Sequence, residues 1–379
     1  MAQRQWRSDD TDKWKYGFGD GSDGDLVINS NTTYEAINAS CSGDIDSYTL
    51  NITENIAFSP GQLVLIHKSR GNTNAPCGSW ELNKIDNYQN NTITLKHKLC
   101  HTYTTSGNDC SQIIVLKQYR SVTIDNNASL TVKPWNNGKG GILAFLSQTN
   151  TNINGKIQAN GGNGGEFNHT SGNTYGGGFW GGRATKSENN LGTGEGTLGV
   201  PQNNQPWNQA YEYGSAGTIG AGSGVGGGNA TGGDRPTQTG MFFGAQSLLS
   251  GNSELTQITF GGGGGGGGGE KGHSIGSGGS GGGIVMIFTN QIVVNGEINL
   301  RGGNGGNGFT DNWADKPMGA GGGGAGGSLL LKCKRANLGD SIILANGGNP
   351  GTNINRTGGA GSSGRSEEHT SELQSRSAI

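Results

Sequence analysis

Glycine dominates the second part of this sequence and constrains its fold more than any other feature. Of the 77 glycines, nine lie in residues 1–137 and 68 lie in residues 138–379. Glycine adds no side chain to a core, and it loses more conformational entropy on folding than any other residue. The second part therefore either stays disordered or adopts a fold in which close backbone packing replaces side-chain packing.

Three degenerate copies of one repeat lie within this part, at 140–165, 282–306 and 326–351. Each copy has a glycine pair, an aliphatic strand, a turn glycine, a short further strand and a Gly-Gly exit. Repeats of this kind predict a solenoid, because each unit buries its apolar face only against its neighbours. The continuously apolar run 284–288 predicts a strand buried on both faces.

Long glycine tracts lie between the copies, above all at 261–269 and 319–327. One interpretation is a flexible linker, which is the usual state of Gly/Ser-rich sequence. The other is a set of packed polyglycine II helices with three residues per turn. We favour packing, because the tracts lie inside the repeat frame and lack the charge that is typical of disordered segments.

The first part reads as short strands with turn residues between them. The runs 63–66, 92–95, 113–116 and 121–124 are β-branched or aliphatic. The predicted fold is therefore all-β. We expect a polar N-terminal segment at 1–24, a small β-domain of sandwich or roll type at 25–137, and a glycine-rich parallel β-solenoid with polyglycine II segments at 138–364.

The two ends of the chain differ from the rest. Residues 365–379 look like the translation of a common short-read sequencing adapter, so we expect an assembly artefact and a natural chain that continues past Gly364. The alternative is a natural charged helical tail. Residues 1–25 lack the hydrophobic core of a secretory signal, which leaves another export route, release within a larger particle, or a missing true N-terminus.

Charge and hydropathy exclude several classes of protein. The net charge is −2, which gives no basic footprint for nucleic acid. No apolar run approaches the roughly 18 residues that span a bilayer. GxGxxG patterns occur throughout without a βαβ frame, and Gly138-Lys139-Gly140 is not a Walker lysine. We expect no catalytic residues, no metal site and no cofactor. The Asp/Gly run 20–25 fails the EF-hand pattern and predicts a tight turn.

Four cysteines cluster in the first part: Cys41, Cys77, Cys100 and Cys110. They allow two disulfides in three connectivities, as in an oxidising exterior. We favour a Cys100–Cys110 bridge, because this pair brackets a polar loop. Cys333 alternates with leucines and is expected to be a buried small apolar residue.

Aromatic residues interrupt the glycine-rich part, where they are candidates for glycan or receptor contact. The alternative is that they cap the ends of glycine layers, and the two interpretations have equal weight. The candidates are Phe179, Trp180, Trp207, Tyr211, Tyr213, Phe242, Phe243 and Trp313.

The run 18–28, the stretches 59–66, 80–85 and 116–119, and the repeat copies resemble glycine-rich surface proteins of bacterial and phage metagenomes. The long tracts also resemble polyglycine II domains of phage tail-tip adhesins and the glycine-rich extracellular region of the anaplastic lymphoma kinase family. The resemblance implies a β-helical, surface-exposed part and carries over no site residue.

We therefore expect a non-enzymatic adhesin, fibre tip or surface-layer component, located outside the cell or on a cell or virion surface. Its partners would be a cell-surface glycan or protein receptor, with self-association as a further expectation. One alternative is a polysaccharide-active β-helix enzyme, which the predicted fold allows by analogy. A second is a low-complexity extracellular matrix protein without a fixed fold.

Overall fold

A computed structural model describes residues 17–71, 76–136, 138–167, 176–181, 195, 251–252, 255–267, 275–308, 319–339, 342–353, 356–357 and 365–370. The described chain is all-β, as predicted, and none of it is helical. It therefore contains no helix of the length and apolar character needed to cross a bilayer.

The strands, in chain order, are β1 (Asp25–Ile28), β2 (Thr32–Thr33), β3 (Asn38–Ser42), β4 (Thr49–Ile52), β5 (Leu63–Arg70), β6 (Trp80–Gln89), β7 (Thr92–Leu95), β8 (Cys110–Val115), β9 (Lys117–Tyr119), β10 (Ser121–Ile124), β11 (Ser129–Thr131), β12 (Ile142–Ile153), β13 (Lys156–Gln158), β14 (Glu166–Phe167), β15 (Ile275–Gly276), β16 (Ile284–Val294), β17 (Glu297–Asn299), β18 (Ser328–Leu338), β19 (Ile343–Leu344), β20 (Thr352–Asn353), β21 (Arg356–Thr357) and β22 (Arg365–Thr370).

Residues 38–115 form a closed antiparallel barrel with the strand order β3-β4-β7-β6-β5-β8. The expected sandwich or roll is thus corrected to a barrel. β8 pairs with both β3 and β5, so the sheet closes and leaves no free edge. The barrel interior is apolar and includes Val64, Ile66 and Ile113.

The rest of the described chain is organised around two parallel sheets. The long sheet has the order β1-β10-β12-β16-β18-β22, with β9 also pairing with β12. The short sheet has the order β19-β17-β13-β11-β2. Strands of the two sheets alternate along the chain, since β1, β10, β12, β16 and β18 are each followed by a strand of the short sheet. Two antiparallel pairs, β14–β15 and β20–β21, complete the set.

The predicted boundary at residue 137 does not separate two structural units. β10 pairs in parallel with β12, and β11 pairs in parallel with β13, so strands from both sides of this boundary share the same sheets. The barrel is instead an insertion between β2 and β9. Composition changes at residue 137, whereas strand pairing depends on the alternation of apolar residues, which continues across it.

The three repeat copies lie side by side in the long sheet, in register. Ile142 pairs with Ile284, which in turn pairs with Ser328. The run 284–288 is buried on both faces, as predicted. One face, with Val285, packs in the cluster shared with the short sheet. The other face, with Met286, packs against the outer side of the barrel.

Seven glycine-rich segments pack beside the sheets with hydrogen bonds that repeat every three residues. They are 159–165, 176–181, 261–267, 276–283, 300–308, 319–327 and 345–352. The amides of Gly276, Gly279 and Gly282 donate to the carbonyls of Gly319, Gly322 and Ala325 at 3.1, 2.9 and 2.9 Å. A Cβ added to Gly279 would lie 2.0 Å from the Gly303 carbonyl oxygen. The glycines are therefore needed for direct contact between backbones.

Segment 276–283 lies at the centre of this packing, because it exchanges hydrogen bonds with five of the other segments. The five are 159–165, 176–181, 261–267, 300–308 and 319–327. Hydrogen bonds made by extended chains on several sides replace the side-chain core that glycine cannot form.

The tail that resembles an adapter contributes β22. This strand pairs in parallel with β18 over six residues, from Ser328 opposite Arg365 to Cys333 opposite Thr370. The edge of β18 thus accepts a further parallel strand.

Candidate functional site

Two of the eight predicted aromatic residues, Phe179 and Trp180, lie among the described residues. Phe179 is fully buried, so its proposed role in ligand contact is wrong. Trp180 is half-buried, and its Nε1 donates to the Trp135 carbonyl at 3.1 Å. The other six predicted residues lie outside the described residues: Trp207, Tyr211, Tyr213, Phe242, Phe243 and Trp313.

Phe179 belongs to an aromatic cluster that joins the glycine segments to the barrel. Its ring centroid lies 5.8 Å from that of Trp135 and 5.2 Å from that of Phe260. Both contacts are edge-on, a favourable geometry for aromatic pairs. The alternative interpretation, in which the aromatics cap the glycine layers, fits Phe179.

A buried carboxylate fixes this junction. Glu195 is fully buried and pairs with Arg70 of the barrel. Its Oε2 accepts hydrogen bonds from Trp135 Nε1 at 2.9 Å and from the Trp180 amide at 3.1 Å. Sequence reasoning missed this residue, because its three partners come from distant parts of the chain. We call Glu195 and Arg70 the junction pair.

The cysteines carry thiols in the structure, and the expected Cys100–Cys110 disulfide is not formed. The two side chains lie in different surroundings. Cys110 packs in the apolar cluster between the barrel and the long sheet, whereas the Cys100 amide donates to the Glu81 carboxylate. Cys333 is buried, as predicted. Burial raises the pKa of the Cys110 thiol and keeps it protonated.

The Asp/Gly run at 20–25 forms the tight turn that its sequence predicts. The Ser22 amide donates to Asp20 Oδ1 at 2.9 Å, which closes an Asx-type turn. Asp23 pairs with Lys117 at 2.8 Å. Hydrogen bonds from Arg120 and Ser121 lower the pKa of Asp25 to about 2. These carboxylates thus tie the turn to β9 and β10.

The barrel carries exposed apolar side chains and buried titratable groups. Ile45 is 55% exposed and Tyr48 is 49% exposed. Burial raises the pKa of Glu81 to about 7. His101 Nε2 is buried and makes no hydrogen bond within the described part of the chain. No sequence motif indicated this group.

Three parallel glycine segments carry an array of exposed polar side chains. The eight residues are Asn160 and Asn163 in the first row, Arg301, Asn304 and Asn307 in the second, and Asn346, Asn349 and Thr352 in the third. We call them the asparagine array. Its signal in the sequence is an asparagine or another polar residue at every third position among glycines, as in Asn-Gly-Gly-Asn-Gly-Gly.

Backbone hydrogen bonds set the spacing of the array. Gly161 and Gly164 donate to the carbonyls of Arg301 and Asn304, both at 2.7 Å, and Gly305 donates to the Asn349 carbonyl at 2.9 Å. Extended chain rises about 3 Å per residue, so positions three residues apart lie about 9 Å apart along a row. Hydrogen-bonded extended chains lie roughly 5 Å apart. The array residues thus repeat in two directions, along the rows and across them.

Side-chain amides also link the rows. Asn163 Oδ1 accepts a hydrogen bond from the backbone amide of Asn304, and Asn304 Oδ1 accepts one from the backbone amide of Asn349, both at 2.9 Å. Asn307 Oδ1 accepts from the Thr352 amide at 2.9 Å. The Nδ2 groups of Asn163, Asn304 and Asn307 have no hydrogen-bond partner among the described residues. Each Nδ2 group is a donor whose position is fixed, because the Oδ1 atom of the same side chain accepts a backbone hydrogen bond.

No protein-family model matches this sequence, and no curated protein is similar to it. Among solved structures, the chain shows a weak similarity to the Gp54 tailspike of Acinetobacter baumannii bacteriophage AP22 in complex with A. baumannii capsular saccharide. The sequence identity is 9%, the TM-score is 0.18, and the alignment covers 91% of this chain and 58% of the tailspike. This chain thus spans 58% of the tailspike's length. A TM-score this low does not establish a common fold.

Proposed function

We propose that this is a non-enzymatic surface protein that binds a carbohydrate chain on the asparagine array. The observation that carries the proposal is the two-dimensional spacing of amide donors on a tightly packed backbone. A glycan chain offers hydroxyl and ring oxygens at a fixed repeat along its length. A lattice of donors with its own fixed repeat binds such a polymer at several points at once.

Rigidity of the support favours this function. We interpret each long strand with its following short strand as one turn of a parallel β-solenoid, and the period-three glycine segments as polyglycine II. A Cβ at Gly303 or Gly306, between the array residues of the second row, would lie 1.9 or 2.4 Å from a carbonyl oxygen of the first row. The donors are therefore preorganised, which lowers the entropic cost of binding.

The chemistry of the array favours binding without turnover. Its eight side chains are amides, one hydroxyl and one guanidinium. Glycoside hydrolysis uses a pair of carboxyl groups, and general acid–base catalysis uses groups that gain or lose protons near the working pH. None of the eight does so at neutral pH. We place the protein on a cell or virion surface, where it meets such a polymer.

Binding to a glycan array, followed by product analysis of the best ligand, tests this function. The test variant carries Asn163→Ala, Asn304→Ala and Asn349→Ala, which removes one column of amides. The matched control carries Asn29→Ala, Asn55→Ala and Asn126→Ala, because these asparagines are exposed and lie outside the array.

We expect the test variant to bind at least about tenfold more weakly, since each lost hydrogen bond contributes about 0.5–1.5 kcal/mol. The control should bind like the wild type, and the ligand should be recovered intact. Equal binding by all three proteins would reject the array as the site. Shortened or unsaturated oligosaccharides would reject a binding protein in favour of an enzyme.

A further inference from the structure

We propose that the ligand of the asparagine array is an anionic polysaccharide, and that Arg301 binds its acidic groups. This inference rests on the proposed function and narrows the class of glycan. It follows from which hydrogen-bonding atoms of the array remain for a ligand, and from the charge of the array.

Three of the six asparagines of the array present only donors to a ligand. The Oδ1 atoms of Asn163, Asn304 and Asn307 already accept backbone amides of the next row. What these three residues present to a ligand is the Nδ2 group, which only donates. These three donors favour a ligand rich in acceptors, and a carboxylate or sulfate ester is the richest acceptor that a glycan carries.

The array also carries one positive charge. Arg301 is exposed and pairs with no carboxylate among the described residues. Six other surface cations of the described chain do pair with a carboxylate, Lys156 with the nearby Glu297 among them. None of the eight array residues is acidic, and the first acidic residue along its rows is Glu166, three residues after Asn163. The guanidinium binds carboxylate or sulfate in a two-pronged geometry that a lysine lacks.

Arg301 lies between amide side chains of both neighbouring rows. Gly161, next to Asn160, donates to the Arg301 carbonyl, and Gly302 donates to the Asn346 carbonyl at 2.9 Å. Asn160 and Asn346 therefore flank Arg301 at the spacing of hydrogen-bonded chains. An acidic sugar at this point contacts the guanidinium while its neighbours in the polymer contact the amides.

The test compares polygalacturonate with its carboxyl-reduced product, which keeps the chain and loses the charge, and includes dextran sulfate as a sulfate-bearing arm. Binding is measured for the wild type, for Arg301→Gln and for the control Lys98→Gln, an exposed cation on the barrel. We expect the wild type to prefer an anionic polymer over the reduced one by about fivefold, the effect of an exposed ion pair. The preference should weaken as salt is raised.

Arg301→Gln should lose this preference and keep the binding of the neutral polymer, while Lys98→Gln should keep both. A preference for polygalacturonate over dextran sulfate assigns carboxylates as the ligand groups, and the reverse assigns sulfates. Equal binding of the charged and reduced polymers, or an unchanged preference in Arg301→Gln, overturns the inference and leaves the proposed function intact. Absence of any glycan binding by the wild type overturns both.

Discussion

Two turn glycines give a test of backbone packing. Gly296 and Gly339 are the turn glycines of the second and third repeat copies, and neither has a positive φ. A Cβ at Gly296 would lie 1.9 Å from the Gly155 oxygen, whereas a Cβ at Gly339 would lie no closer than 3.5 Å to any atom. The same substitution to alanine thus clashes with the backbone at Gly296 and makes ordinary van der Waals contacts at Gly339.

The expected effects have opposite signs. Gly296→Ala requires the backbone of the neighbouring turn to move, which costs about 3 kcal/mol of unfolding free energy or more. Gly339→Ala removes freedom from the unfolded chain without strain and should stabilise by roughly 0.4–1 kcal/mol. Urea unfolding followed by circular dichroism measures both. Equal effects of the two substitutions, or a stable Gly296→Ala, would refute direct contact between the turns.

Three further predictions concern the barrel and its junction. The pKa of Glu81 in the folded state, about 7, lies above its unfolded value. The free energy of unfolding therefore falls by about 3 kcal/mol as the pH rises from about 4.5 to 7. In thermal unfolding, Glu81→Gln should therefore be more stable than the wild type at pH 8 and as stable as the wild type at pH 4. Equal unfolding temperatures of the two proteins at both pH values would contradict the raised pKa of a buried Glu81. Glu195→Ala leaves the charge of Arg70 without its partner and should cost roughly 3–5 kcal/mol, whereas loss of less than about 1 kcal/mol would make the junction pair a surface contact. A thiol reagent should modify all five cysteines in denaturant and Cys41 only slowly in native protein, and fewer than five reactive thiols would restore the disulfide prediction.

The sequence predicted those features that depend on local pattern. Continuous apolar residues at 284–288 indicated a doubly buried strand, and the turn at 20–25 followed from its aspartates and glycines. The three repeat copies indicated strands that lie side by side, which they do. Each of these signals lies within a few residues, where side-chain alternation and turn chemistry decide the structure.

Features that depend on distant partners were not predictable in this way. Closure of the barrel requires β3 to meet β8, and burial of Phe179 requires Trp135 and Phe260. The array was overlooked for another reason. An asparagine at every third position among glycines resembles a polar spacer until neighbouring segments align in register, and only then do its amides form a lattice.

The side-chain amide signals of the array test the central claim most directly. In nitrogen–proton correlation spectra of the protein titrated with an anionic polysaccharide, the Nδ2 signals of Asn163, Asn304 and Asn307 should shift together and saturate at one ligand concentration. The signal of Asn126, exposed on a turn outside the array, should stay in place. Shifts confined to residues outside the array, with these three signals unchanged under saturating ligand, would contradict binding on the asparagine array.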